Sequence, residues 1–256
     1  MRDEEQNRDF VTALARGLEV LQACGSGGRG LTLAEIAELV GLPRATVRRS
    51  LLTFAELGYA ETDGRLFRLT PKVLKLSAAY LGSTPLPRVA QPVLERLSAT
   101  LGESCSISVL DGAEIVYVAR SQATRILAEE LAIGSRLPVW PTAMGRVLLA
   151  DRPEQAVTDL LGKMPPRKHT ELTLTDPAAL RTALEQVRAE GYCIVDQELE
   201  QGLRSIATPV RSASGSVVAA LNVGTHAGRW SIGDLRRQIR PALQEAAASM
   251  QPLLVL

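Results

Sequence analysis

The sequence predicts an α+β protein in two parts: a small winged helix-turn-helix domain, then, after a linker helix, a larger mixed domain. Three observations carry this. Residues 31–70, LTLAEIAELVGLPRATVRRSLLTFAELGYAETDGRLFRLT, read as two short helices joined by a glycine turn and followed by a hairpin. Residues 82–87, GSTPLP, place two prolines within three positions and break the chain. Beyond that break, helical and strand-like segments mix and close on a long helix, the order of an α+β domain. At 256 residues there is room for two domains. The expected divisions are 1–71 for the winged helix, 72–85 for the linker helix and 86–256 for the larger domain.

The first helix is expected over residues 10–24, with Val11, Leu14, Leu18 and Leu21 on its inner stripe and Val20 beside them. GSGGRG at residues 25–30 is a flexible connection; it follows a helix instead of a strand, which argues against a phosphate-cradling loop. Thr32 and Glu35 have the spacing of a capping box, opening a helix over 33–40 with Leu33, Ile36, Ala37 and Val40 on one side. Gly41 suits a left-handed helix end, and Pro43 suits the first position of the next helix. That helix, 43–57, turns Val47, Leu51, Phe54 and Ala55 inward and leaves Arg44, Thr46, Arg48 and Arg49 outside. Residues 59–61 and 65–69 alternate as strands around Thr62-Asp63-Gly64, a hairpin signal. In a winged helix-turn-helix the second helix enters the major groove by its N-terminus, where guanidinium groups bond guanine edges or phosphates. Arg65 at the hairpin tip is placed for the flanking backbone or minor groove.

The linker helix, 72–81, carries Val73, Leu76, Ala79 and Tyr80 on one side, an apolar face suited to a partner subunit. In the larger part a helix is expected over 88–101, and strands over 105–110 and 114–119 with an Asp111-Gly112 turn. A third strand is expected over 125–132 and a loop over 138–141. Helices follow over 142–150 and 153–161, an exposed loop over 162–173, and a helix from Asp176-Pro177 to about residue 190. Strands over 193–196, 203–210 and 217–224 precede a closing helix over 232–253 with Leu235, Ile239, Leu243 and Ala247 in phase.

Composition narrows the function. The net charge is +1, so no global basic excess advertises nucleic acid. Between Arg44 and Lys75, however, seven basic residues stand against three acidic ones, a local excess of four. Cys24, Cys105 and Cys193 are odd in number and lack CxxC spacing, which argues against a disulfide framework or a zinc site and for reduced thiols in the cytoplasm. No signal peptide or membrane span is expected. His169 and His226 stand in no nucleophile signature, and HExxH, Walker and GxGxxG motifs are absent, so no enzyme activity, cofactor or metal is expected. An enzyme carrying an appended DNA-binding domain is the rival reading.

With these residues in hand the chain resembles the IclR-type transcriptional regulators. LARGLEVLQ and the 31–70 segment look like their winged helix domain. YVAR at 117–120, GSRLPVWPTAMGRVLLA at 134–150 and DQELEQGLRSIATPV at 196–210 are similar to the effector domain of the subgroup governing β-ketoadipate pathway genes, the PcaR, PcaU and PobR type. The resemblance spans residues 10–249. It implies a GAF-like effector domain with a central antiparallel sheet, homodimers or tetramers, and a pseudo-palindromic operator of double-stranded DNA. It also implies a small carboxylate effector: protocatechuate, 4-hydroxybenzoate or β-ketoadipate. The effector pocket it implies is lined by Trp140, Thr142, Ala143 and Met144, by Asp196, Arg204 and Ser205, and by Asn222. A helix start at Thr142–Met144 suits a carboxylate. Asp196 either accepts from a phenolic hydroxyl or pairs with Arg204; Arg204 either clamps a carboxylate or makes a plain ion pair with Asp196 or Glu198. Arg120 and Arg125 flank a turn near the sheet and are further candidates. Ser205 stands where some members carry Cys, so no reactive thiol is expected there.

Overall fold

The computed structural model describes residues 9–122 and 131–255, and the chain divides into two compact units, residues 1–82 and 83–256. The first unit holds three helices, α1 (Thr12–Cys24), α2 (Leu33–Val40) and α3 (Arg44–Glu56), and a small antiparallel sheet of β1 (Leu31–Thr32), β2 (Ala60–Thr62) and β3 (Leu66–Leu69) in the order β1-β3-β2. Thr32 and Glu35 form the full capping box, and Gly41 ends α2 at φ 64°. Pro43 differs from expectation. Its ψ of 137° makes it the N-cap residue, so α3 begins at Arg44. Val20, Cys24, Ile36, Ala37, Val47, Leu51 and Phe67 form the core. The Asp63 carboxylate accepts the backbone N–H groups of Arg65 (2.9 Å) and Leu66 (2.8 Å), which fixes the hairpin turn.

The inner face of α1 is also not the expected one. Gly17, Val20 and Cys24 are buried, while Val11, Leu14 and Leu18 are exposed. Small residues at 17 and 24 let this side approach the core closely, with Gly17 against the Phe54 ring, and the larger leucines turn outward. β1 was not anticipated; two residues pairing with Phe67 and Leu66 are too few to show alternation. A 3₁₀ turn (Pro71–Val73) leads into α4 (Leu74–Ser83), on which Leu74, Leu76 and Tyr80 are exposed.

The second unit is built on a six-stranded antiparallel sheet in the order β6-β5-β4-β9-β8-β7. Its strands are β4 (Ser104–Asp111), β5 (Glu114–Ser121), β6 (Arg136–Pro138), β7 (Cys193–Asp196), β8 (Leu203–Arg211) and β9 (Val217–His226). One face packs on α5 (Leu86–Leu101) and the C-terminal helix. The other packs on α6 (Ala143–Ala150), α7 (Glu154–Lys163) and α8 (Pro177–Glu190). Both prolines of the 82–87 segment open α5: Pro85 is its N-cap and Pro87 lies in its first turn. The strand expected over 125–132, with Arg125, lies largely outside the described residues. β6 falls partly in the expected 138–141 loop and pairs with β5. The closing helix runs as α9 (Ile232–Asp234), a π turn (Leu235–Ile239) and α10 (Arg240–Met250). The widening precedes Pro241, which has no N–H for the ladder and whose ring would crowd the carbonyl of Arg237 in a regular helix.

Among the described residues no helix is long and apolar enough to cross a membrane, and no group of His, Cys, Asp and Glu is placed to hold a metal. The three cysteines are buried and unpaired with each other. Burial pushes the thiols of Cys105 and Cys193 up to about 12, far from the thiolate form that reactivity requires.

Candidate functional site

Two regions gather most of the side chains expected to be functional, one in each unit. On α3 the buried Val47 and Leu51 define the inner side, and Arg44, Arg48 and Arg49 project from the opposite side into solvent. Their guanidinium groups make no ion pair or side-chain hydrogen bond among the described residues. Thr46 is half-buried beside them, and Arg65 is exposed at the hairpin tip. Arg68, also on the hairpin, is engaged by Asp63 (3.3 Å). Unpaired cations on one helix face and one hairpin tip suit a polyanion of regular spacing.

The second region is a cavity of about 720 Å³ between the sheet and the start of α6. The fold reaches this geometry through strand register. Ser106 pairs with Arg120 on one side and with Asn222 on the other, and Ser104 pairs with Gly224, which pairs with Ser205. These rows put Arg120, Ser106, Asn222, Ser104 and Ser205 on one face, and all line the cavity. Thr142 caps α6, its hydroxyl accepting the Gly145 N–H (3.2 Å), and Thr142, Ala143 and Met144 form the opposite wall. Tyr117 adds to the polar lining; burial raises the Tyr117 phenol to about 12, so it stays protonated. Among the described residues, two buried polar atoms of this lining have no hydrogen-bond partner: Arg120 Nε and Asn222 Oδ1. Such groups cost free energy unless something bonds them.

Three of the residues expected at the pocket do not line it. Trp140 is buried in the core, and its indole N–H donates to the Met164 carbonyl (2.9 Å). Asp196 and Arg204 are cross-strand neighbours in a bidentate pair, Nε–Oδ1 2.8 Å and Nη2–Oδ2 2.9 Å. Arg204 Nη1 also donates to the carbonyls of Ala227 and Trp230, so every nitrogen of the guanidinium is engaged. That pairing holds the Asp196 carboxyl below the usual carboxylate range.

Glu198 is not a partner of Arg204. It holds Arg146 of α6 in a buried bidentate pair, at 2.7 and 2.5 Å. Glu198 Oε2 also accepts the Leu174 N–H, and its carbonyl accepts the Thr173 hydroxyl. The end of the 162–173 loop is therefore buried against Glu198 and is not exposed throughout. Gln197 has φ 59°, the only non-glycine residue with positive φ among the described residues, and its side chain accepts the Gly202 N–H. The turn so fixed places Leu199, Glu200, Gln201 and Gly202 at the cavity. Sequence reasoning missed the Arg146–Glu198 pair. Its one visible signal is an arginine within the otherwise apolar run AMGRVLLA.

The two-part fold matches known proteins. The "Bacterial transcriptional regulator IclR C-terminal" family model matches residues 78–251, and the "IclR helix-turn-helix domain" model matches residues 13–64. The chain is 48% identical to the Pca regulon regulatory protein of Pseudomonas putida, over 94% of this chain and 84% of that protein. It is 47% identical to the crystal structure of a transcriptional regulator from Rhodococcus sp. RHA1, which covers 96% of this chain and 98% of that one with a TM-score of 0.82. A double mutant of the PobR inducer-binding domain from Acinetobacter, solved with 3-hydroxybenzoic acid, is 34% identical with a TM-score of 0.63, covering 65% of this chain and 98% of its own.

Proposed function

This chain belongs to the IclR family of bacterial transcriptional regulators, and on that premise we propose that it controls aromatic-acid catabolic genes by binding an operator through α3 and a small carboxylate in its cavity. Arg44, Thr46, Arg48 and Arg49 read or clamp the duplex, and Arg65 touches the flanking backbone. Thr142, Ala143, Met144, Ser205 and Asn222 surround the effector. Asp196 and Arg204 act at one remove, by fixing the strand ends on which the cavity is built. The observation that carries this reading is the cavity itself, with two buried polar atoms of its lining left without partners among the described residues. The relatives' names supply the chemical class: a regulator of the pca regulon, and an inducer domain holding a hydroxybenzoic acid.

The protein acts as a binder and not as a catalyst. Burial keeps the thiols of Cys105 and Cys193 protonated, and neither lines the cavity. Two copies present two α3 helices to the half-sites of a pseudo-palindromic operator. The exposed Leu74, Leu76 and Tyr80 of α4, together with Val11, Leu14 and Leu18 of α1, offer the apolar surface such pairing needs. Calorimetry with protocatechuate, 4-hydroxybenzoate and β-ketoadipate side by side tests the effector reading. Saturable binding of at least one acid is expected; silence toward all of them would overturn it.

A further inference from the structure

We propose that Arg120 is the anchor for the effector's carboxylate, and that a bulge in β5 exists to aim it; this rests on the reading of the cavity as the effector site. The β4–β5 register shifts between Ile107 and Ser108: Ile107 pairs with Ala119 and Ser108 with Tyr117, leaving Val118 as an extra residue. In an unbroken strand Tyr117 and Arg120 would face opposite sides of the sheet. Across the bulge both line the cavity, while Val118 and Ala119 together enter the core on the other face. Re-aiming a side chain beside a site is a known use of a bulge.

Arg120 also differs from its neighbours in charge balance. Arg146 is held by Glu198 and Arg204 by Asp196. Glu103, on the cavity wall, is neutralised by Arg229 (3.1 Å) and bonded by the Trp230 indole N–H (2.8 Å). Glu200 is exposed at the rim, and His226 Nδ1 accepts the Gly228 N–H. Among the described residues no carboxylate pairs with Arg120. Its guanidinium stands 6.0 Å from the Tyr117 ring centre, and its Nε is buried without a partner among the described residues. Asn222 lies two strands away in the same cross-strand row, about 10 Å between backbones at the usual strand spacing. An acid with a second polar group spans that gap: the carboxylate on Arg120, and a hydroxyl or oxo group toward Asn222. An amide both donates and accepts, so Asn222 accepts either group.

The test is calorimetry on the full chain with protocatechuate, 4-hydroxybenzoate and β-ketoadipate and with the uncharged carboxamide of each, the diamide in the case of the dicarboxylate β-ketoadipate. For whichever acid binds the wild type, Arg120→Gln should weaken binding about 10- to 100-fold, the range for a hydrogen bond to a charged group. Arg120→Lys should recover part of that loss, and binding of the carboxamide should be the same in Arg120→Gln and wild type. An unchanged thermal midpoint of Arg120→Gln shows that the loss is not one of folding. Unchanged acid affinity in Arg120→Gln, or equal losses for acid and carboxamide, would overturn the role of Arg120 alone. Silence of the wild type toward every acid would instead remove the effector reading, and this inference with it.

Discussion

Arginine does opposite work in the two units. On α3 the guanidinium groups of Arg44, Arg48 and Arg49 stand in solvent with no carboxylate among the described residues to hold them. In the second unit Arg146 and Arg204 are buried in bidentate pairs, and they position backbone instead of meeting a partner molecule. The difference teaches that residue type alone says little about function. An exposed unpaired arginine is available to a polyanion, a buried paired one is structural, and Arg120, half-buried with no carboxylate partner among the described residues, is the one we propose meets the ligand.

The largest effect should come from breaking a buried pair. Arg146→Ala leaves Glu198 charged, buried and uncompensated, and should destabilise the second unit by about 3–5 kcal/mol in denaturant unfolding of the full chain. A double variant, Arg146→Met with Glu198→Leu, should regain most of that loss. If the single variant were as stable as the wild type, the pair would not be the latch described. Gly145→Ala comes next. Its added methyl would fall inside the contact distance of the Val139 backbone carbonyl, so the start of α6 must shift. Overpacking of this kind costs about 1–3 kcal/mol. The shift should also weaken effector binding, because Ala143 and Met144 line the cavity.

The first unit should answer to salt instead. Arg49→Ala should reduce the slope of log affinity for the operator against log salt by about 0.9 if Arg49 neutralises one phosphate. A loss of affinity at an unchanged slope would move Arg49 from phosphate to base contact. The smallest effect concerns Asp196. Its carboxyl is held low by Arg204, so the stabilisation is present above the ordinary carboxylate pKa of about 3.9 and is lost as pH falls from there through the depressed value. Asp196→Asn should flatten that acid limb of the urea midpoint against pH. The pair is partly solvated, so the change should be small.

The first unit was legible because its signals are local. The capping box at Thr32, the left-handed Gly41 and the Asp63 turn each act within a few residues. Its errors came where packing overrode pattern: α1 turns Gly17 and Cys24 inward and leaves Leu14 and Leu18 outside. In the second unit the strands read well, but the site depends on pairing between them. Alternation along β5 cannot reveal an inserted Val118, so Arg120 and Tyr117 read as facing apart. Nor can any short window join Arg146 to Glu198, which are far apart in sequence. Ser205 and Asn222 were visible as polar residues on apolar strands, a pattern that does mark a cavity when register places it on the inner face.

The division of labour is tested most directly by one paired titration of Arg48→Ala, full chain, with operator duplex and with the acid that binds the wild type, both at fixed salt. The account predicts duplex affinity lowered by about 1–3 kcal/mol, as for loss of a base-reading arginine, with acid affinity equal to wild type. Undiminished duplex binding, or a matching loss of acid binding, would contradict it.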